Sequence, residues 1–342
     1  MKRIRPGFIL PSAAYTISPK QIKQFGPSEP SPQVGDVVYG RVTYVGQHGS
    51  LENKQGRIHI IGDGTRAVFV YGNRYAPDYY EGVVPNHNSS EVDLLARSGV
   101  VGVMREKNAA VKDPTKVHIM GYVLDSEGNR LNAKNHPIAI PKNPLDEKKR
   151  RSKLILNVGS SMNSGKSTSA IACYWALSAM GHRVVASKVT GTASLKEILY
   201  MQDSGAEQIS DFTHLGYPST YLLGEEEVVG IFKNLNAKFA SNPSKYWVVE
   251  FADGILQRET AMLLKDEYIR SRIHRLIFSA SDAFGALGGL HLLKNEFDLV
   301  PDALSGRCTS SPLIIQELRQ RSSVEVFNNV LRDLKQLSHI LL

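Results

Sequence analysis

The rhythm of apolar and polar positions changes partway along this 342-residue chain. From residue 35 to about 85, runs such as DVVYGRVTYVG, RIHIIG and RAVFVYG alternate with period two and are punctuated by Gly and Asn. Such alternation turns one face of each run to a core, so the segment predicts strands forming a small β-barrel or β-sandwich. SSEVDLLARSGVVGVM at 89–104 predicts a helix and then a strand, with Ser89 or Ser90 as N-cap and Glu91 and Asp93 in the first turn. A strand pair is expected at 117–124 and 137–140, joined by Ser126-Glu127-Gly128-Asn129. Residues 1–34, rich in Pro, Ser and Gln, predict an arm that packs on something else.

After residue 153 strand-like and helix-like patterns alternate. Strands are expected at 153–158, 183–189, 208–213, 246–251, 274–280, 299–304 and 324–327. Helices are expected at 167–181, 193–203, 225–240, 256–267, 283–295, 311–320 and 329–338. Alternation of this kind means a mostly parallel, doubly wound sheet with helices on both faces. Pro and charge in PKNPLDEKKRRSK place a domain boundary between the two regimes. The predicted class is therefore α/β, with an arm (1–34), a smaller β-rich domain (35–140), a basic linker (141–152) and a parallel-sheet domain (153–342).

Composition adds little to that outline except through charge. Apolar residues make up 42% of the chain, enough for two real cores. Two cysteines, Cys173 and Cys308, give no disulfide framework and suit a reducing cytoplasm. Pro6 and Pro11 interrupt the N-terminal stretch, favouring an extended arm over a signal peptide, and no run of 18 apolar residues suggests a membrane span. Of the net charge of +8, residues 1–153 carry 23 Lys+Arg against 14 Asp+Glu, whereas residues 154–342 carry 18 against 19. The excess lies in the first half, densest at Lys148-Lys149-Arg150-Arg151. It is either a solvated basic surface or a field for an anionic partner such as nucleic acid. In YGNRYAPDYYEG, Tyr71, Tyr75, Tyr79 and Tyr80 flank Arg74, which fits either base stacking or a structured hairpin loop.

The chemistry concentrates at ILNVGSSMNSGKST, residues 155–168. An apolar strand runs into a glycine-bounded loop and then a helix, which is how a phosphate-binding loop is built. Backbone N–H groups and the helix N-terminus face the phosphates, Lys166 supplies a point charge, and the Ser167 hydroxyl ligates Mg²⁺. Gly159, Asn163, Ser164, Gly165, Lys166, Ser167 and Thr168 are thus the expected nucleotide-binding residues. In YWVVEFADG four apolar residues lead to Glu250 and Asp253, the pattern of a metal-binding acid at a buried strand end. The ten histidines show no HExxH or other zinc spacing.

Five residues, not four, separate Gly159 from Gly165, and Ser160 stands where the simple motif has glycine. That longer loop resembles the dethiobiotin synthetase branch of P-loop proteins, which includes cobyrinic acid amidation enzymes. The accessory GTPase of molybdenum-cofactor assembly, with its Asn-Ser-Gly-Lys loop, is a looser relative. The early-loop lysine of MinD-type relatives is missing. Glu250, Ala252 and Gly254 keep the Glu-x-Ala-x-Gly segment of dethiobiotin synthetase, with Asp253 in place of a small residue. Lys188, at the end of RVVASK, matches in order and position a lysine that reaches substrate and phosphate there.

Over residues 153–310 the resemblance implies a P-loop NTPase of the SIMIBI class, often a homodimer with nucleotide near the interface. It implies Lys166, Lys188 and Glu250 in catalysis, and Ser305, Gly306 and Arg307 at the base. Mg²⁺ is expected on Ser167, Glu250 and Asp211, although Asp211 reads equally well as a helix cap. No Asn/Thr-Lys-x-Asp guanine signature is present, so ATP is expected, with GTP left open. The leading expectation is a Mg²⁺-dependent ATPase that activates or ligates a small carboxylate. The alternative is a nucleotide-controlled switch whose basic N-terminal domain binds nucleic acid or a protein partner.

Overall fold

A computed structural model describes residues 1–141 and 151–342. Most of the basic run at 148–151, and most of the expected linker, lies outside them. The chain divides into two compact units: Met1–Ala139 with Gly191–Lys196 and Phe212–Leu222, and Ile140–Thr190 with Glu197–Asp211 and Leu223–Leu342. Two segments expected inside the parallel-sheet domain thus belong to the N-terminal unit.

In the N-terminal unit the strands are β1 (Lys2–Arg3), β2 (Gln24–Gly26), β3 (Val37–Tyr44), β4 (Ser50–Glu52), β5 (Ile58–Ile60) and β6 (Arg66–Tyr71). They continue with β7 (Arg74–Tyr75), β8 (Tyr80–Val83), β9 (Glu91–Ala96), β10 (Val100–Lys107) and β11 (Thr115–Leu124). β3 pairs β6, β6 pairs β10, β10 pairs β9, β9 pairs β11, and β11 returns to β3, so these strands close into a barrel. Period two explains it: Val38, Val42, Ala67, Phe69, Val92, Leu94 and Val117 share one buried cluster, while Val37, Tyr39, Val68, Val70 and Val100 share another. Closure also removes sheet edges that would otherwise invite association.

Three expectations are corrected here. Residues 1–34 are not a separate arm: β1 and β2 extend the sheet, and Ile4, Ala13, Ala14, Ile17, Ile22 and Phe25 cover the second cluster. Those residues are apolar enough to bury beneath the Pro/Ser/Gln bias. Within 89–104 the expected helix is instead strand β9, which forms a hairpin with β10, the strand expected after it; residues 137–140 form no strand. Val92, Leu94 and Leu95 are all buried, and Ser89 Oγ bonds the backbone of Glu91 in a local turn instead of capping a helix. In the Tyr/Arg patch Tyr71, Arg74 and Tyr80 are buried, while Tyr75 and Tyr79 are partly exposed.

The second unit alternates β12 (Lys153–Gly159), α1 (Lys166–Ala179), β13 (Arg183–Lys188), α2 (Leu195–Asp203), β14 (Gln208–Asp211), α3 (Glu225–Phe239) and β15 (Lys245–Glu250). There follow α4 (Arg258–Lys265), α5 (Glu267–Arg272), β16 (Ile273–Ser279), α6 (Ala283–Phe297), β17 (Ala303–Ser305), α7 (Pro312–Arg321), β18 (Glu325–Val326) and α8 (Leu334–Leu341). Their 7-stranded sheet has the order β14-β13-β15-β12-β16-β17-β18, with every pairing parallel. β12 leads to β13 on one side of itself, whereas its neighbour β15 leads to β16 on the other side. Adjacent strands whose connections leave in opposite directions open a crevice at their carboxyl ends. Gly159 and Glu250 mark those ends. Cys173 and Cys308 are buried free thiols. No helix among the described residues is long and apolar enough to cross a membrane.

Candidate functional site

A cleft of about 400 Å³ lies at this crevice, within the second unit. Its wall is built first by the loop between β12 and α1. Asn163 (φ 58°) and Gly165 (φ 101°) both take left-handed backbone, which Asn tolerates and Gly adopts freely. A Cβ on Gly165 would lie 2.9 Å from the Arg307 nitrogen and the Gly306 Cα, so the loop is pressed against the segment after β17. A Cβ on Gly159 would sit 2.3 Å from Ser164 Oγ. Arg307 N–H donates to the Ser164 carbonyl at 2.9 Å, pinning the loop to that segment.

The start of α1 is anchored by residues that carry no motif. Ser279 Oγ lies 2.9 Å from Ser169 Oγ, and Asn329 Nδ2 donates to Ser169 Oγ at 3.0 Å. Lys166, at the first helical position, is buried and donates to the Ser161 carbonyl at 2.7 Å. Burial lowers its pKa, opposed in part by Glu250 and Asp253.

Strand register aligns the rest. Asn157 is opposite Glu250, Glu250 opposite Lys188, and Lys188 opposite Asp211, a polar row across β12, β15, β13 and β14. Glu250 is 1% exposed; its Oε1 lies 3.4 Å from Lys188 Nζ, and its Oε2 has no hydrogen-bond partner. Lys188 also donates to Glu197 on α2. Burial works against the Lys188 charge, but Glu197 and Glu250 outweigh it and hold its pKa above the usual lysine range. Within the row, Asn157 is fully buried with both side-chain amide atoms unpartnered, and the Tyr174 hydroxyl of α1 is likewise unpartnered. Burial, reinforced by the Glu250 charge, keeps that phenol neutral.

Of the residues expected from sequence, Asn163, Gly165, Lys166, Ser167, Thr168, Lys188, Glu250 and Arg307 line one cleft. Gly159 and Ser164 stand behind the loop and shape it. Three others are not brought there. Asp211 ends β14, two strands from Glu250, about 9–10 Å at ordinary strand spacing. Ser305 is buried and gives its hydroxyl to the Phe327 carbonyl, and Gly306 backs the loop. Glu197, Asn157 and Asn329 were not legible in the sequence. A glutamate on an amphipathic helix reads as solvated surface, an asparagine inside a strand as an ordinary exception, and Asn329 reaches α1 only through the fold.

After Glu250 the chain turns back over the loop. Ile255 N–H donates to the Gly159 carbonyl at 2.8 Å, and Thr190 Oγ1 accepts from Ala252 N–H at 2.8 Å. A Cβ on Gly254 would lie 2.5 Å from the Ser160 carbonyl oxygen, which explains the glycine in the Glu-x-Ala-x-Gly segment.

No protein-family model matches the chain, and no curated protein matches it. Among solved structures it is similar to a DUF1611 family protein from Anabaena variabilis, with TM-score 0.38 and 12% identity over 59% of this chain and 63% of that one. It is also similar to a ParA family ATPase from Chlorobium tepidum, with TM-score 0.35 and 15% identity over 56% and 92%. A third is the signal recognition particle receptor FtsY from Elizabethkingia anophelis in complex with GDP, with TM-score 0.35 and 11% identity over 58% and 66%. The chain spans less than two thirds of the first of these proteins. Likenesses this remote fix no family, so the reading of the site rests on its own geometry.

Proposed function

We propose that the second unit is a doubly wound P-loop nucleoside triphosphatase. The opposite directions of the β12–β13 and β15–β16 connections support this: right-handed crossovers then place α1 and α4–α5 on opposite faces. The observation that carries the function is the convergence of a left-handed loop opening α1, Lys166, Lys188 and Glu250 on one cleft. Loop amides and the α1 N-terminus hold phosphate oxygens, Lys166 neutralises them, and Lys188 sits where a γ-phosphate or acyl phosphate would gain charge. Arg307, on the cleft wall, borders the nucleotide.

The donor set suits a hard divalent cation. Glu250 Oε2 is buried without a partner, and Ser167 lines the same cleft; these two would hold Mg²⁺. A metal held by these two would take its remaining ligands from phosphate and water. When bound, Mg²⁺ offsets charge developing on the transferred phosphoryl group.

ATP is read as the nucleotide and a small carboxylate as the acceptor. The acceptor reading is supported by the resemblance of Lys188 and Glu250–Gly254 to the dethiobiotin synthetase segments. A homodimer follows from the same resemblance. Less supports the nucleic-acid switch, since Tyr71, Arg74 and Tyr80 of its stacking patch are buried and only Tyr75 and Tyr79 are partly exposed.

The test is phosphate release from ATP and from GTP with Mg²⁺, using Lys166→Ala as control. A kcat/KM for ATP that falls about 100-fold or more in Lys166→Ala, and vanishes on chelation, supports the reading. Absence of ATP and GTP binding by the intact chain refutes it. A screen of carboxylic acids for stimulated turnover then tests the acceptor, and sedimentation tests the dimer.

A further inference from the structure

A second concavity, of about 970 Å³, lies in the N-terminal unit, between the first ten residues, the Pro19–Gln24 stretch and the turn from Asn53 to His59. Its floor is apolar: Ile4 and Ile22 are buried, and Phe8, Leu10 and Ile9 pack partly buried against the barrel clusters. Lys2, Arg3 and Lys23 line it and are exposed. No Asp or Glu lines it, and none of these three cations makes an ion pair among the described residues. β1 pairs with β2, so Lys2 and Arg3 are held on a sheet strand rather than on a loose end.

Three like charges border one apolar hollow, and none of them is paired with a carboxylate among the described residues. The missing counterpart is an anion, and the hollow beside the charges accommodates a hydrocarbon body. Its volume falls at the upper end of what drug-sized ligands occupy, roughly 300–1,000 Å³. We infer that the N-terminal unit binds an amphipathic organic anion, with its carboxylate or phosphate head on Lys2, Arg3 and Lys23 and its apolar body over Ile4, Phe8 and Ile22. The site does not rest on the nucleotide reading.

The experiment titrates the full chain by calorimetry with octyl phosphate and octanoate below their micellar range. Octanol, inorganic phosphate and anionic phosphatidylglycerol vesicles are run beside them. Expected is one saturable site per chain for an octyl anion, at least 10-fold tighter than for octanol or inorganic phosphate. Binding should weaken at least 10-fold in Lys2→Ala/Arg3→Ala/Lys23→Ala, which changes only exposed side chains. Gln55→Trp, which places bulk in the cavity, should weaken it similarly. ATP turnover should be unchanged in both variants. No saturable binding of either octyl anion, equal binding by the triple variant, or binding to vesicles without binding to monomers would overturn the inference.

Discussion

Gly254→Ala tests whether the acidic strand end and the phosphate loop form one rigid piece. The new Cβ would stand 2.5 Å from the Ser160 carbonyl oxygen and 3.0 Å from the Ser161 Cα. It falls about 0.9 Å short of the 3.4 Å at which ordinary contact begins. Ser160 cannot retreat freely, because its N–H donates to the Ser279 carbonyl at 2.9 Å, and Ile255 N–H holds the Gly159 carbonyl at 2.8 Å. No left-handed φ is required at Gly254, so the effect is steric alone. Overpacking of this kind costs about 1–3 kcal/mol, and each 1.4 kcal/mol or so taken from binding is about tenfold in affinity. We expect ATP affinity, followed by fluorescence anisotropy of a labelled analogue with Mg²⁺, to drop about 10- to 100-fold. Urea unfolding should show the remaining loss as reduced stability. Gly288→Ala on α6 is the control: its Cβ meets nothing within 4 Å, so stability should rise by about 0.5–1 kcal/mol with ATP binding unchanged. Full affinity together with full stability in Gly254→Ala would refute the rigid coupling.

Lys166 must be protonated to hold phosphate, and burial puts its pKa below the usual lysine value. Nucleotide affinity should therefore fall as pH rises through a midpoint below 10.5, and Lys166→Arg should flatten that limb; an unchanged limb counts against the role. Glu197→Gln removes one of the two carboxylates on Lys188. ATP binding should tighten about fivefold at low salt, by about 1 kcal/mol for one charge near the phosphates, and less at high salt. His48 in the N-terminal unit is held to about 4, first by burial and then by Arg74, whose Nη1 is 3.0 Å from its Nε2. The unfolded chain then binds the extra proton first, so stability should fall as pH drops from 6.5 to about 4, by up to about 3 kcal/mol, and His48→Gln should lose much of that slope in denaturant titrations.

What was legible in the sequence was local. The β12–loop–α1 stretch announces itself because glycine spacing, Lys166 and the apolar flanks all lie within a few turns of chain. The strand ending at Glu250 does so because four apolar residues ahead of an acid suit a buried parallel strand. At 89–104 the code was ambiguous: Leu94 and Leu95 are adjacent and both buried, so a strand covered on both faces imitates a helix. Asp211 is expected at the site as a strand-end carboxylate and Ser305 through the resemblance, but distance across the sheet is set by strand order, which no local pattern states. For the same reason Glu197 was missed, since its meeting with Lys188 depends on how α2 returns over β13.

The assignment of Gly191–Lys196 and Phe212–Leu222 to the N-terminal unit has a consequence for biosynthesis. Domains generally fold as units as they leave the ribosome, first half first. Here the first half stays incomplete until residue 222 has emerged, because Ala193 is part of its core. By then β12, α1, β13 and β14 are already synthesised, while β15, which pairs with both β12 and β13, is not. The two units are therefore obliged to mature almost together during translation. A gene cut at the polar stretch near residue 140, where a reader of the sequence would place the scissors, yields a first half lacking pieces of its own interior.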